Sequence, residues 1–286
     1  MDSDEEQEIT YKRKKLQRIK ITDKNLESLA KSLKLEKKFG TERLTNFLFC
    51  DLSHLYFYHY KCESVDDSNW GCAWRSLQSA LRFQLSLNNQ KKDISFYNLF
   101  MKYGAKNALI EIYKKMSHDN DNADKNIDIL SAKKFAPHEN SCGWAEPFIS
   151  QLVLYDFGFK GDLILINGYP RRSYAPIEVF KKILNFQEFK EKLSQHFKQK
   201  NPGPIILDDS RASISIIGVK FRNDNNIELI IMDPHACPDA EKGLYIITLD
   251  NNGGFLEITP PEIVLASMSI YFDQKNPWMA YFPISN

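Results

Sequence analysis

The sequence has a small net charge, few cysteines and no long apolar run, and each absence narrows what the protein can be. Its 286 residues carry 38 Lys and Arg against 37 Asp and Glu, a net charge of +1. Without an excess of either sign, no nucleic-acid or membrane-surface partner is indicated. No run approaches the ~18 apolar residues of a transmembrane helix. The N-terminal MDSDEEQEITYKRKK also lacks the apolar core of a signal peptide. We therefore expect neither secretion nor insertion into a membrane.

The cysteines do not form an obvious set. There are five, at positions 50, 62, 72, 142 and 237, without C-x-x-C spacing. A disulfide framework or a structural zinc site needs cysteines in pairs. We therefore expect a reduced, cytosolic chain without a bound metal, in which each cysteine is judged by its own surroundings.

Composition divides the chain into a charged extension, residues 1–40, and one large domain, residues 41–286. The extension is expected to be partly disordered, because it has few large apolar groups. Within the domain, helical patterns come first and strand patterns later, which indicates an α+β fold. The predicted helices are 72–87, 95–116, 146–156 and a part of 177–198, and the predicted strands are 44–60 as a hairpin, 163–166, 204–207, 213–221, 227–233 and 244–250. A turn is predicted at NDNN, residues 223–226.

The stretch DDSNWGCAWRSLQSAL, residues 66–81, contains the cysteine that is best placed for chemistry. Aspartates and a serine precede it as helix-capping residues, and the apolar positions after it follow a helical period. Cys72 is thus expected in the first turn of a helix, where unpaired N–H groups and the dipole stabilise a thiolate. Gly71 leaves room for the backbone of a substrate. On these residues alone, a buried structural cysteine stays the alternative.

A thiolate mechanism also needs a histidine, and His235 is the best placed of the six. It follows an apolar strand in IIMDPHAC, with Asp233 two residues before it. Residues i and i+2 of a strand share a face, so the carboxylate can orient the ring and stabilise its charge. An exposed turn capped by Asp233 is the alternative. The other histidines are expected to pack within the aromatic run (His54, His59) or to be solvated (His118, His138, His196).

Two motifs, in this order along the chain, resemble a known family. DDSNWGCAWRSLQ is similar to DDSGWGCAYRSLQ, the nucleophile motif of the cysteine proteases specific for the ubiquitin-fold modifier (UFM). MDPH, residues 232–235, resembles the second motif of that family. Shorter similarities at 143–154, 215–221 and 281–285 extend the resemblance over residues 45–285.

The resemblance implies a papain-like cysteine protease fold, with a central, mostly antiparallel sheet packed by helices and the nucleophile at a helix N-terminus. It implies that Cys72 is the nucleophile, His235 the general base and acid, and Asp233 the group that orients the histidine. Tyr60, twelve residues before the cysteine, matches a tyrosine that helps to form the oxyanion hole. No cofactor and no metal are implied.

The implied substrates are the UFM precursor and UFM-conjugated proteins, cleaved after the C-terminal glycine of the modifier. The tail of the modifier is expected in a narrow groove flanked by Trp70, Gly71, Asp208 and Asp209. We expect a cytoplasmic monomer. Longer members of the family have a second domain, for which the extension is expected to be too short. Whether adaptors recruit this protein to the endoplasmic reticulum, as they do in the family, therefore stays open.

Two alternatives stay open, and the position of the histidine argues against a third. IILDDSRAS, residues 205–213, departs from the glycine-rich stretch usual in the family, and Asp208, Asp209 and Arg211 are bulkier and charged. A relative that binds the modifier without cleaving it is therefore the first alternative. Proteases of the autophagy modifier are the second, although Met-Leu-Arg-Ser-Gly-Gln tends to follow their cysteine. Proteases of ubiquitin chains take their histidine from the strand before the aspartate motif, where this chain has none.

Overall fold

A nine-stranded sheet is the centre of the part of the chain that this computed structural model describes, namely residues 35–63, 65–118, 136–139, 143–235, 243–259 and 277–284. The strands are β1 (Leu48–Phe49), β2 (Gly161–Ile166), β3 (Lys182–Leu184), β4 (Ile205–Asp208), β5 (Ser213–Phe221), β6 (Ile227–Met232), β7 (Leu244–Leu249), β8 (Phe255–Thr259) and β9 (Trp278–Pro283). Their order is β3-β2-β9-β4-β5-β6-β7-β8, with β1 paired to β5. Only the β2–β3 pair is parallel.

The helices are α1 (Leu35–Phe39), α2 (Thr41–Leu44), α3 (Cys72–Leu87), α4 (Phe96–Tyr103), α5 (Lys106–His118), α6 (Pro147–Asp156) and α7 (Phe186–Phe197), with 3-10 turns at Leu52–His54 and Ile177–Val179. The helix predicted at 72–87 is confirmed at both ends. The helix predicted at 95–116 is two helices, because α4 ends at Tyr103 and α5 begins only at Lys106. In the described residues no helix is long and apolar enough to span a membrane.

Helices cover both faces of the sheet. Ile206 and Leu207 are neighbours in β4 and therefore point to opposite faces. Ile206 belongs to an apolar cluster with Trp74 of α3 and Phe148 of α6. Leu207 belongs to the other cluster, with Leu193 of α7. The predicted α+β architecture, with a mostly antiparallel sheet between helices and Cys72 at a helix N-terminus, is thus confirmed.

The strands β5, β6 and β7 form consecutive antiparallel pairs whose residues are almost all buried. The turn predicted at residues 223–226 joins β5 to β6. The Arg222 N–H donates to the Asn226 carbonyl over 3.0 Å, and Asn225 has a φ of 64°, a left-handed conformation that asparagine tolerates. This prediction is confirmed.

The hairpin predicted at residues 44–60 is wrong. Only Leu48–Phe49 is a strand there, and the chain from 55 to 59 has no regular structure. Phe57 and Tyr58 are nonetheless buried, and the backbone binds other groups, as when the Tyr58 N–H donates to the Ser79 hydroxyl over 3.1 Å. The aromatic and branched composition therefore reports burial rather than strand pairing.

Two histidines expected on the surface are buried. The His138 ring lies 4.9 Å from the Phe100 ring, and His196 hydrogen-bonds the Gly203 carbonyl over 2.7 Å. Burial lowers the pKa of His196 to about 4. His59 packs as expected. The extension predicted at 1–40 lies outside the described residues except for its last six, 35–40.

Candidate active site

Cys72 is the first residue of α3 and has no exposed surface. A tight turn leads into the helix, in which the Trp70 and Gly71 N–H groups both donate to the Asp67 carbonyl. Gly71 has an ordinary φ of −85°, but a Cβ there would collide with the Asp67 side chain. The glycine is therefore required by the close approach of Asp67, rather than by a substrate alone.

A buried ion network holds this turn against the helix. Arg75, fully buried, donates from Nε to the Asp67 carboxylate over 2.6 Å and from a terminal nitrogen to Glu63 over 2.5 Å. The second Asp67 oxygen accepts the Lys61 N–H over 2.9 Å. The Arg75 guanidinium also lies 4.3 Å from the centroid of the Phe96 ring. These contacts link the turn before Cys72, the chain that precedes it and α4.

Asp233 and His235 leave the end of β6 in a turn. The Asp233 Oδ1 atom accepts the His235 N–H over 2.9 Å and contacts the His235 Nδ1 over 2.5 Å. The predicted meeting of the two side chains is present, but its reason is different from the prediction. The strand ends at Met232, and the carboxylate binds the backbone two residues on, as in an Asx-turn.

The second oxygen of Asp233 has its own donor. The Tyr245 hydroxyl of β7 donates to Asp233 Oδ2 over 2.9 Å, and both side chains are buried. Asp233 therefore has contacts on both carboxylate oxygens, one from the histidine and one from the neighbouring strand. Sequence reasoning missed Tyr245, which stands in an apolar strand run without a local polar signal.

Tyr60 and His235 approach Cys72 together. Their rings meet edge to face with centroids 5.1 Å apart, and the Tyr60 N–H donates to the Pro234 carbonyl over 2.9 Å. The Tyr60 hydroxyl is buried without a well-formed hydrogen bond in the described part of the chain. Burial, and then the negative charge of Cys72, raises the pKa of Tyr60. The hydroxyl therefore stays protonated and available as a donor next to the thiol.

The electrostatics favour a charged histidine. Burial opposes the charge on His235, but hydrogen bonds to Asp233 and Cys72, together with their negative charges, raise its pKa to about 10. An imidazolium beside a cysteine stabilises the thiolate. The arrangement thus has the parts of a thiolate–imidazolium pair, with Asp233 orienting the ring.

Asp208 and Asp209, predicted to line the substrate groove, are buried. Asp208 accepts the Ser210 N–H over 2.6 Å through one oxygen, and its other oxygen has no partner among the described residues. Burial, and then the charges of Cys72 and Glu146, raises the pKa of Asp208 well above its usual range. Asp209 accepts the Arg211 and Ala212 N–H groups. Both carboxylates therefore stabilise the turn after β4 by accepting hydrogen bonds from its backbone.

The half-exposed Trp70 ring lies beside the turn that precedes Cys72. Its ring meets the Phe96 and Phe100 rings edge to face, with centroids 5.4 and 5.3 Å apart. Gly143, at a φ of +68°, lies under the indole, where a Cβ would come within 3.2 Å of the ring. The Trp70 ring is therefore held in place by the two phenylalanines of α4 that pack against it.

Known proteins resemble parts of this chain. Residues 168–248 match the model of peptidase family C78, the family of UFM-specific proteases. The match includes Asp233 and His235 but not Cys72 or Tyr60. The matched segment therefore contains the second of the two motifs, MDPH, and not the first.

Among solved structures, the crystal structure of UfSP from C. elegans is similar, with 15% identity and a TM-score of 0.47. The alignment covers 84% of this chain and 34% of that chain, so this chain spans about a third of its length. No curated protein matches.

Proposed function

We propose that the chain is a thiol protease that cleaves after the C-terminal glycine of UFM, to mature the UFM precursor and to release UFM from conjugated proteins. The observation that carries the proposal is the meeting of Cys72, His235, Asp233 and Tyr60 at the N-terminus of α3. The family match over residues 168–248 supports the choice of modifier.

The proposed first step is acyl transfer to the cysteine. The Cys72 thiolate attacks the carbonyl carbon of the terminal glycine, and the electron pair of the C=O bond moves to oxygen. The Tyr60 hydroxyl and the Cys72 N–H donate to that oxyanion. As the tetrahedral intermediate collapses, the C–N bond breaks and His235 gives its proton to the leaving amine. The product is a thioester between Cys72 and the modifier.

Water then completes the reaction. The neutral His235 removes a proton from a water molecule, which attacks the thioester carbon. The C–S bond breaks, the modifier leaves as a free carboxylate, and the thiolate–imidazolium pair is restored. The same steps serve a peptide bond in the precursor and an isopeptide bond to a lysine, because both leave an amine.

The remaining assignments belong to this proposal. Residues 41–286 are the protease domain and residues 1–40 an extension. The tail of the modifier lies between Trp70 with Gly71 and the turn that Asp208 and Asp209 shape. The protein acts as a monomer in the cytoplasm.

A second candidate, a relative that binds the modifier without turnover, is favoured by one observation. Cys72 has no exposed surface, so a neighbouring side chain must move before a substrate carbonyl can reach the sulfur. A protein that keeps this closed arrangement binds the modifier without reacting.

A covalent probe separates the two candidates. Full-length protein is incubated with UFM that carries a C-terminal vinyl or propargyl group, and adducts are read by mass spectrometry. We expect an adduct on Cys72 that is lost in Cys72→Ser. The half-buried Cys62 gives a matched control, Cys62→Ser, which keeps the adduct. Binding of UFM without any adduct would instead identify the non-catalytic relative.

A further inference from the structure

Both oxygens of the Asp233 carboxylate have hydrogen-bond partners. Oδ1 faces His235, through the backbone N–H and the ring nitrogen, and Oδ2 accepts the Tyr245 hydroxyl over 2.9 Å. Only 4% of Asp233 and 2% of Tyr245 are exposed. Among the described residues, no donor other than Tyr245 is recorded on Oδ2.

The backbone of β7 keeps Tyr245 in place. Ile231 of β6 pairs with Tyr245, and the ladder continues one step past the end of β6, where the Asp233 N–H donates to the Gly243 carbonyl over 2.7 Å. A Cβ at Gly243 would collide with the Phe57 ring and come within 2.6 Å of the Asp233 carbonyl oxygen. Because a slip of one residue would turn Tyr245 to the other face, the register fixes where its hydroxyl lies.

A donor on Oδ2 has two consequences for Oδ1. It fixes the plane of the carboxylate, which otherwise turns easily about its last torsion angle. It also stabilises the charged form of the carboxylate, since hydrogen bonds to charged groups are among the stronger ones. Burial, and then the charge of Asp233, raises the pKa of Tyr245 well above its usual range. The hydroxyl therefore remains a donor throughout the working pH range.

We propose that Tyr245 is a positioning residue, which acts through Asp233 to hold the His235 ring in line with Cys72. The inference rests on the proposed function and names a further member of the same site. It makes the site a relay of four side chains, from β7 through the turn after β6 to the first residue of α3. Tyr245 touches neither the substrate nor the sulfur.

The test compares two matched tyrosine-to-phenylalanine variants. Tyr245→Phe removes the donor to Asp233, and Tyr103→Phe removes an equivalent donor to Asp156, 2.8 Å away outside the site. One readout is kcat and KM for cleavage of the UFM precursor between pH 5 and 10. The other is the rate of alkylation of Cys72 by iodoacetamide over the same range, which needs no modifier.

We expect Tyr245→Phe to lose about 10-fold or more in kcat, the worth of a hydrogen bond to a charged group, with KM changed less than about twofold, because the interaction does not involve the bound tail. The basic limb of both profiles moves to lower pH, because Asp233, when it is held less firmly, raises the pKa of His235 less. Tyr103→Phe follows the wild type. Profiles of Tyr245→Phe that superimpose on those of the wild type overturn the inference.

Two further measurements keep the test decisive. If the tyrosine acts through Asp233, then adding Tyr245→Phe to Asp233→Asn changes kcat by less than about twofold; a full, additive loss contradicts the relay. Should Tyr245→Phe fail to fold, 3-fluorotyrosine at position 245 keeps a more acidic hydroxyl. The basic limb then moves away from that of the wild type, and an unmoved limb overturns the inference.

Failure of the proposed function looks different. If the wild type does not cleave the UFM precursor while the alkylation profile still shifts in Tyr245→Phe, the positioning role stands and the substrate is wrong. If the precursor is cleaved and neither profile shifts, the function stands and the positioning role is wrong.

Discussion

Replacing Asp233 by asparagine keeps the shape of the side chain and removes the charge that faces His235. In the wild type, hydrogen bonds and charges from Asp233 and Cys72 outweigh burial and raise the pKa of His235 from 6.5 to about 10. That rise corresponds to about 5 kcal/mol in favour of the charged ring. Asparagine removes one of the two anionic partners, so we expect the pKa of His235 to fall by at least about one unit.

The catalytic consequence is larger, because the asparagine amide can hold the ring in the wrong tautomer. In an orienting aspartate of this kind, the change costs about 10⁴ in kcat, and we expect a loss of about 10³ to 10⁴ in kcat/KM here. Stability changes with a defined sign. Since folding raises the pKa of His235, the stabilisation is fully present below pH 6.5 and is lost as pH rises through about 10. In Asp233→Asn this window closes at a lower pH.

Nuclear magnetic resonance of histidine-labelled protein measures the titration directly. Six histidines are present, and His235→Gln identifies the signal of interest. The matched control is Asp156→Asn, which removes a half-exposed carboxylate outside the site that also accepts a tyrosine hydroxyl. A His235 signal in Asp233→Asn that still titrates near 10, or a kcat/KM within about threefold of the wild type, would refute the assigned role of Asp233.

Three further changes test the surroundings of the nucleophile. Arg75→Met leaves the buried charges of Asp67 and Glu63 uncompensated, and we expect a loss of about 3–5 kcal/mol in urea unfolding; a loss below about 1 kcal/mol contradicts the network. Gly71→Ala forces a methyl group onto the Asp67 side chain and should cost about 1–3 kcal/mol together with most of the probe labelling; full labelling would show that the turn yields. Folding raises the pKa of Asp208. The destabilisation caused by this buried carboxyl therefore grows as the pH rises above its pKa in the unfolded chain, by up to about 1.4 kcal/mol per pH unit. Asp208→Asn should therefore stabilise the protein more as the pH rises above the pKa of the unfolded chain, and a gain that does not change with pH would show that Asp208 is charged in the fold.

Local patterns predict the regular elements well where backbone preference and burial agree. The helix that begins at Cys72 has capping residues before it and a helical apolar period after it, and the structure has the same bounds. The strand predicted at 213–221 also has the same bounds, because a long β-branched run between turn residues leaves little choice. The turn at NDNN follows from asparagine, which accepts a left-handed backbone.

Tertiary contacts decide what local patterns cannot. Segment 44–60 has strand-like composition, but only two of its residues form a strand, and most of its aromatic residues are buried individually in the core. His138 and His196 have polar neighbours in sequence, which hide the packing that buries them. Tyr245 meets Asp233 only because β7 pairs with β6, a register that no local pattern predicts.

The sequence correctly predicts that the Asp233 and His235 side chains meet, but for a reason that the structure does not bear out. The i and i+2 positions of a strand would have placed both side chains on one face. The structure instead ends the strand at Met232 and lets the carboxylate bind the His235 N–H. The turn positions the ring more tightly than a strand would, because one carboxylate oxygen contacts both the backbone and the ring.

Side-by-side digestion tests the central claim most directly. Full-length protein and its Cys72→Ala variant are incubated with the UFM precursor, with ubiquitin that carries a C-terminal extension, and with the autophagy modifier precursor, and the products are identified by mass spectrometry. The account predicts cleavage after the C-terminal glycine of UFM by the wild type only, with the other two substrates left intact. An uncleaved UFM precursor, or cleavage that persists in Cys72→Ala, would contradict it.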